Sequence, residues 1–514
     1  MARDLHKYRL RRPRELSGPV LRGIASWPLL PTLVLTVGSG VAVILGAYWL
    51  IARFVPIGDQ PMTAAQRLTA AFATATAAGA LVALVVNVRK QDLSEQAARR
   101  DFESAFTERF RAAASQLGAV SPAERLAGVY AMASLADEYP RRRQQCVDVL
   151  CGYLRVPFDP AVDELAALTT DTTHSFADGK TVTSHATMAA RPHDLQVRST
   201  IISVIHARTR PEVETSWSHL NFDFTGARLH NLKFQGSIFS GEDTSFLGAT
   251  FSGERTWFDG ATFSGKRTSF SGATFSGEDT SFLGATFSGE ETWFGGATFS
   301  GQRTWFGGAT FSGEGTSFSE ATFSGKRTSF SGATFSGEDT SFSGATFSGE
   351  DTSFGKATFS GERTWFDGAT FSGQRTWFDK ATFSGQLTSF DKATFSGQLT
   401  SFDRATFSGQ RTSFDRATFS GQRTSFDGAT FSGQRTSFDR ATFSGERTLF
   451  DDATFFGVQV TFDAARKIGD AIVSGLEQPQ LGKGATIKAY GRPFHGWPDP
   501  AVQTPAFPDG DTMD

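Results

Sequence analysis

Two cysteines in 514 residues, Cys146 and Cys151, exclude a disulfide framework and leave stability to packing. They stand five apart in a helical pattern with no histidine partner motif, so they read as reduced core thiols. The eight histidines are scattered without an HExxH pair, and the glycines never form a phosphate-binding GxxxxGKS/T loop. The acidic residues of the central region recur periodically on a surface, so choosing two as general acid and base would be arbitrary. The chain is therefore expected to have no catalytic group, no metal site and no cofactor. Charge is also missing over two long stretches: thirty residues between Arg22 and Arg53, and twenty-one between Arg67 and Arg89.

Phenylalanine and glycine are abundant, with 51 and 53 copies. Most belong to one twelve-residue unit that occurs eighteen times in tandem, with Ala-Thr-Phe at 249, 261 and every twelve residues to 453. Repetition this strict implies a solenoid, in which each unit buries its apolar face only against its neighbours. The unit, as in 249–260, reads ATFSG-ER-TWFDG: two five-residue blocks and a two-residue insert. Phe spacing alternates 5 and 7, as at Phe246, Phe251, Phe258 and Phe263. Upstream the insert is missing, and Phe224, Leu229, Phe234 and Phe239 recur every five residues.

These blocks resemble the pentapeptide-repeat family over roughly 220–462. The resemblance implies a right-handed quadrilateral β-helix, with the central Phe or Leu and the residue two before it pointing inward. The regular insert departs from the family pattern. A twelve-residue coil would have to cross a diagonal of about 14 Å with two residues that reach only about 10–11 Å. A 24-residue coil, with loops at two opposite corners, closes without strain and is favoured. About nine such coils would stack to roughly 43 Å at ~4.8 Å per layer. A twelve-residue coil of about twice the stack length is the alternative. Gly and Ser after each Phe suit tight corners.

The two uncharged stretches are each long enough to span ~30 Å of hydrocarbon as a helix. Basic residues precede the first (Arg3, Lys7, Arg9, Arg11, Arg12, Arg14, Arg22) and follow the second (Arg89, Lys90, Arg99, Arg100). The positive-inside rule then predicts a two-span membrane protein with both termini cytoplasmic. Small residues Ala73, Ala75, Ala77 and Gly79 would let the spans pack closely. The arm's charge suits anionic lipid better than nucleic acid.

The expected fold class is thus a membrane α-helical hairpin, a small α-helical module, and an all-β right-handed quadrilateral β-helix. The segments are a basic arm (1–26), two transmembrane helices (27–90), a helical module (91–157), a polar linker (158–193), and a lead-in helix or cap (194–219). The solenoid (220–462), a cap helix (463–477) and a disordered Pro-rich tail (478–514) follow. In the module, Phe102, Phe106, Phe110, Ala113 and Leu117 keep helical spacing, and Ser121-Pro122-Ala123-Glu124 reads as a capping box. Tyr139-Pro140 ends that helix, and Cys146, Val149, Leu150, Tyr153 and Leu154 line the next. The same stretches resemble membrane-anchored pentapeptide-repeat proteins of bacteria.

The outward faces carry the functional candidates. From 241 to 360 there are 14 acidic and 7 basic residues, and from 361 to 452 there are 11 of each, with adjacent pairs such as Asp403-Arg404. Five tryptophans stand at outward positions, Trp257, Trp293, Trp305, Trp365 and Trp377, and these could anchor an interface. In a 24-residue coil Trp257, Trp305 and Trp377 share one face, and Trp293 and Trp365 the opposite one. The expectation is a non-enzymatic, membrane-tethered scaffold or interaction module with an unidentified protein partner. The alternative is a DNA-mimicking, topoisomerase-binding member of the same family. The neutral half of the rod and the membrane anchor argue against that alternative.

Overall fold

The computed structural model describes residues 64–158, 167–175, 181–189 and 193–456, shorter pieces between 459 and 488, and scattered positions between 34 and 49. The chain divides into two compact units, 1–108 and 109–514.

Helix α1 (Ala64–Leu117) is continuous over 54 residues. It absorbs the uncharged run between Arg67 and Arg89 and continues through Lys90, Asp92, Arg99 and Arg100. Among the described residues no helix is long and apolar enough to cross a membrane. The run is rich in Ala and Thr, which favour insertion far less than Leu, Ile, Phe or Val. The membrane hairpin, the two-span localisation and the topology drawn from it are corrected accordingly. The run between Arg22 and Arg53 and the basic arm lie largely outside the described residues.

Three helices follow in the second unit: α2 (Pro122–Glu138), α3 (Arg143–Arg155) and α4 (Asp194–Thr209). Pro122 opens α2 as expected, but the Ser121 side chain makes no capping hydrogen bond. The buried face of α3 carries Cys146, Val147, Leu150, Cys151, Tyr153 and Leu154, with Val149 half-buried. Between α3 and α4, where the polar composition predicts a loose linker, an antiparallel hairpin pairs β1 (Ala167–Ser175) with β2 (Thr181–Ala189). Frequent Thr gives both strands β-branched character, which composition alone undervalues.

Asp194 locks the three helices together. It accepts hydrogen bonds from Arg125 and Arg198, each at 2.7 Å, and from the Tyr153 hydroxyl. Arg198 also donates to the Leu154 and Val156 carbonyls at 2.9 and 2.8 Å, so it meets the exposed end of α3. Below them, Thr209 and His206 both reach the Ser237 hydroxyl, and Trp217 is fully buried. The helices thus close the N-terminal end of the solenoid, where an uncovered sheet edge would expose unpaired backbone groups.

The solenoid is right-handed and closes every 24 residues onto four parallel sheets. Face 1 has twelve strands, beginning Phe222–Asp223 and Asp243–Ser245; face 2 has eleven, beginning Arg228–His230 and Thr250–Ser252. Face 3 has ten, beginning Arg255–Trp257, and face 4 has eleven, beginning Ile238–Phe239. The register fixes the coil: Phe251 pairs with Phe275, and Phe275 with Phe299. Where the insert is missing the coil is shorter, so Leu229 already pairs with Phe251.

Each face supplies one column of buried Phe. Phe251 and Phe275 stack with centroids 4.4 Å apart, and Phe258 and Phe282 at 4.8 Å. Columns from faces 1 and 3 meet edge-on, as Phe246 and Phe258 do at 5.6 Å and 82°. Both arrangements suit the ring quadrupole. Corners without an insert are turns with the type II signature: Ala261 N–H donates to the Phe258 carbonyl at 2.9 Å, and Gly260 has φ 61°.

The solenoid continues beyond 462. Strands Arg466–Lys467, Ile472–Ser474, Gln480–Leu481 and Thr486–Lys488 each join a face. The helix expected over 463–477 is therefore replaced by another coil, because Ala465 and Phe462 still keep the five-residue rhythm. Most of the tail expected to be disordered lies outside the described residues.

Candidate functional site

Inward positions of the solenoid are uniform, so chemistry is confined to what the four faces and corners present outward. The tryptophans fall on opposite faces as their spacing predicts. On face 3, Trp257 pairs with Ser281, which pairs with Trp305, and Trp377 pairs with Ser353. On face 1, Trp293 pairs with Ser269 and Ser317, and Trp365 with Ser341 and Ser389. All five rings are half-buried. Three of them carry a guanidinium from two residues earlier: Arg255 on Trp257, Arg363 on Trp365 and Arg375 on Trp377, at 5.0, 5.5 and 5.2 Å.

Charged residues pair between coils. Asp243 takes both guanidinium nitrogens of Arg267 at 2.6 and 2.8 Å, and Asp351 those of Arg375 at 2.7 and 2.9 Å. Asp279 with Arg303 and Asp339 with Arg363 repeat the arrangement. The Arg267 guanidinium holds the Asp243 carboxyl below the ordinary carboxylate range. Such exposed pairs add little stability singly, and their effect is to fix the outward rows.

The Asp residues that follow the inward Phe in the C-terminal half are bound by serine of the next coil. Asp367 accepts the Ser389 hydroxyl at 2.5 Å and the Asp391 N–H at 3.2 Å. Asp391 and Asp415 repeat this with Ser413 and Ser437 one coil later. On the opposite corner Ser401 bonds Asp379, and Ser425 bonds Asp403. The neighbouring cations Lys392, Arg416 and Arg440 take left-handed φ of 59–60°, where most other corners have Gly. Column and cations together line a shallow groove of about 620 Å³. The signal in the sequence was the phase of the Asp: always one residue after the inward Phe, with Ser one before the next such Phe.

One step of that pattern fails. Leu449 stands where Ser would be, and the Asp427 Oδ1 is buried with no partner. Burial pushes the Asp427 carboxyl above its ordinary value, and it does the same at Asp367 and Asp379. Elsewhere, Cys146 and Cys151 are buried free thiols pushed up to about 12 by desolvation. Among the described residues no group of three or more His, Cys, Asp or Glu side chains converges to hold a metal ion. Comparison with known proteins finds no matching family model, no matching curated protein and no matching solved structure.

Proposed function

We propose that this chain is a non-enzymatic interaction module of the pentapeptide-repeat type, a rigid rod that presents docking positions at fixed intervals along its length. The β-solenoid supports a repeat scaffold as such. The observation that carries the reading is the placement of the tryptophans. Within the tandem repeats the inward positions are Phe, Ala or Thr, so identical steps offer a partner no register. Large rings placed at Trp257, Trp305 and Trp377 on one face break that uniformity at unequal intervals of two and three coils. Aromatic anchors of this kind typically lose about 2 kcal/mol or more of binding on truncation.

The DNA-mimicking alternative is less favoured. Its acidic rod would have to run the full length, whereas residues 361–452 balance 11 acids with 11 bases. The test is comparative recovery of partners with the full chain and with Trp257, Trp305 and Trp377 changed together to Ser, the residue most copies have there. We expect an unchanged melting temperature and loss of a defined subset of partners. An identical set from both proteins would make the three rings relics of repeat duplication and sink the reading of face 3.

A further inference from the structure

Trp293 differs from the other tryptophans on its surroundings. Trp257, Trp365 and Trp377 hold their own Arg over the ring. Two residues before Trp293 stands Glu291 instead. One coil on, Gly315 pairs with Glu291, and a Cβ added there would meet nothing within 4 Å. An open space therefore lies in the row where other coils place a long side chain. One coil back, Arg267 is the nearest cation of that row, but its guanidinium is held by Asp243 at 2.6 and 2.8 Å.

Lys266 stands in the insert of that same coil back, and the charge from Trp293 onward is negative. Glu290, Glu314 and Glu338 recur in the insert that leads into face 1. Glu320 occupies the next corner at φ 60°, although Gly fills every other face 1 corner from Gly248 to Gly368. A left-handed Glu is disfavoured by roughly 1 kcal/mol against Gly, so the acid is placed against backbone preference. On its other side Trp293 joins Leu247, Ser269 and the paired Asp243 and Arg267 in walling a groove of about 370 Å³. Leu247 is 47% exposed there, an apolar surface on which an aliphatic stem can lie. Trp305 is the contrast: its row holds Arg303 and, one coil on, Arg327.

We propose that Trp293 is the docking point for an arginine or lysine side chain of a basic peptide segment. The cation stacks on the indole face, Glu291 balances its charge, and the stem lies against Leu247. This deepens the interaction-module reading and rests on it. It commits to a partner chemistry on face 1, whereas the partner recovery above interrogates face 3.

Fluorescently labelled nona-arginine, titrated into the full-length chain at physiological salt, tests it by anisotropy. Trp293→Ser and Glu291→Arg should each weaken binding about tenfold, the second by letting the rod fill its own ring as it does at Trp257. Leu283→Ser, which removes an exposed apolar side chain beside face 3, should leave the affinity unchanged, and nona-glutamate should not bind. Glu291→Arg reproduces an arrangement already present in the fold, so its melting temperature should match the parent's. Equal affinity for the parent, Trp293→Ser and Glu291→Arg would reduce the binding to diffuse charge attraction and overturn the proposal. Absence of nona-arginine binding would overturn it too. If partners that depend on face 3 are still recovered in that case, only this inference fails and the module reading stands.

Discussion

Glycine recurs at two positions of the repeat, for two different reasons. At Gly332 the reason is conformation: φ is 68°, and a Cβ would meet open space. At Gly337 φ is unremarkable, but a Cβ would be driven into the Gly313 carbonyl oxygen of the coil before. Positions of the first kind elsewhere accept Lys356, Arg404 and Arg416 at φ 57–60°. Those of the second kind are Gly in all eighteen copies of Ala-Thr-Phe-x-Gly. Gly332→Ala should therefore destabilise by about 1 kcal/mol, and Gly337→Ala by about 3 kcal/mol or more, because backbone atoms cannot yield as a side chain can. Chemical unfolding of both variants compares them. A second residue-scale prediction concerns Asp427, whose pKa is raised by burial. A carboxyl raised in the folded state is protonated there first, so folding gains stability as pH falls from neutral toward the ordinary value of about 4. Asp427→Asn should raise the melting temperature at pH 7, and the difference should vanish near pH 4. Asp243 has the opposite sign: its lowered pKa gives stability that is present above the ordinary value and lost below it.

At the scale of the element, short strands of two or three residues would be unstable alone. They persist because each lies in register with identical strands above and below, and each contributes one ring to a column. Phe347 is fully buried, with Phe323 and Phe371 at 4.8 and 4.9 Å on either side. Phe347→Ala should destabilise by about 3–5 kcal/mol, since stacked neighbours cannot collapse into the gap without leaving their own register. The adjacent Thr346 points outward and is half-buried, and Thr346→Ala should stay within about 0.5 kcal/mol. Thermal melts of the full chain decide this, and equal losses at both positions would reverse the inward and outward assignment.

On the scale of the whole molecule, the solenoid is one-dimensional: each coil contacts only its neighbours, so stability is a sum over coils and interfaces. The ends therefore differ from the middle. The N-terminal end is closed by helices clamped through Asp194, with Arg125 fully buried against it. Toward the C-terminal end the inward column of face 2 stops at Lys467, an exposed cation paired in register with Phe443. Phe456, Ile468 and Ile472 are exposed there where earlier coils have Ser or Arg. Charge is distributed on the same axis. Inter-coil Asp-Arg pairs occupy the N-terminal portion, and serine-bound Asp columns beside Lys and Arg occupy the C-terminal portion. A partner reading this rod meets a different surface at each height, although the core beneath is the same.

The repeat and its inward Phe were legible from sequence, and chain reach favoured 24 residues per coil over twelve; the pairing of Phe251 with Phe275 decided between the two. The opposite placement of Trp257 and Trp293 followed from the same arithmetic. Partners lay beyond its reach. That Asp403 bonds Ser425 rather than the adjacent Arg404 depends on a contact 22 residues away. That Arg363 lies over Trp365 while pairing with Asp339 of the coil before depends on its rotamer and on inter-coil contact. Outside the repeats, sequence reading fared worse. Local composition predicts a linker where strands 167–175 and 181–189 pair, and a helix where a further coil follows 462, since it cannot report pairing between strands. Uncharged length suggested a membrane hairpin, but length without charge is a weaker criterion than the summed apolarity of a helix. Periodicity is a property of the chain and can be counted; which side chain meets which is decided only when coils stack.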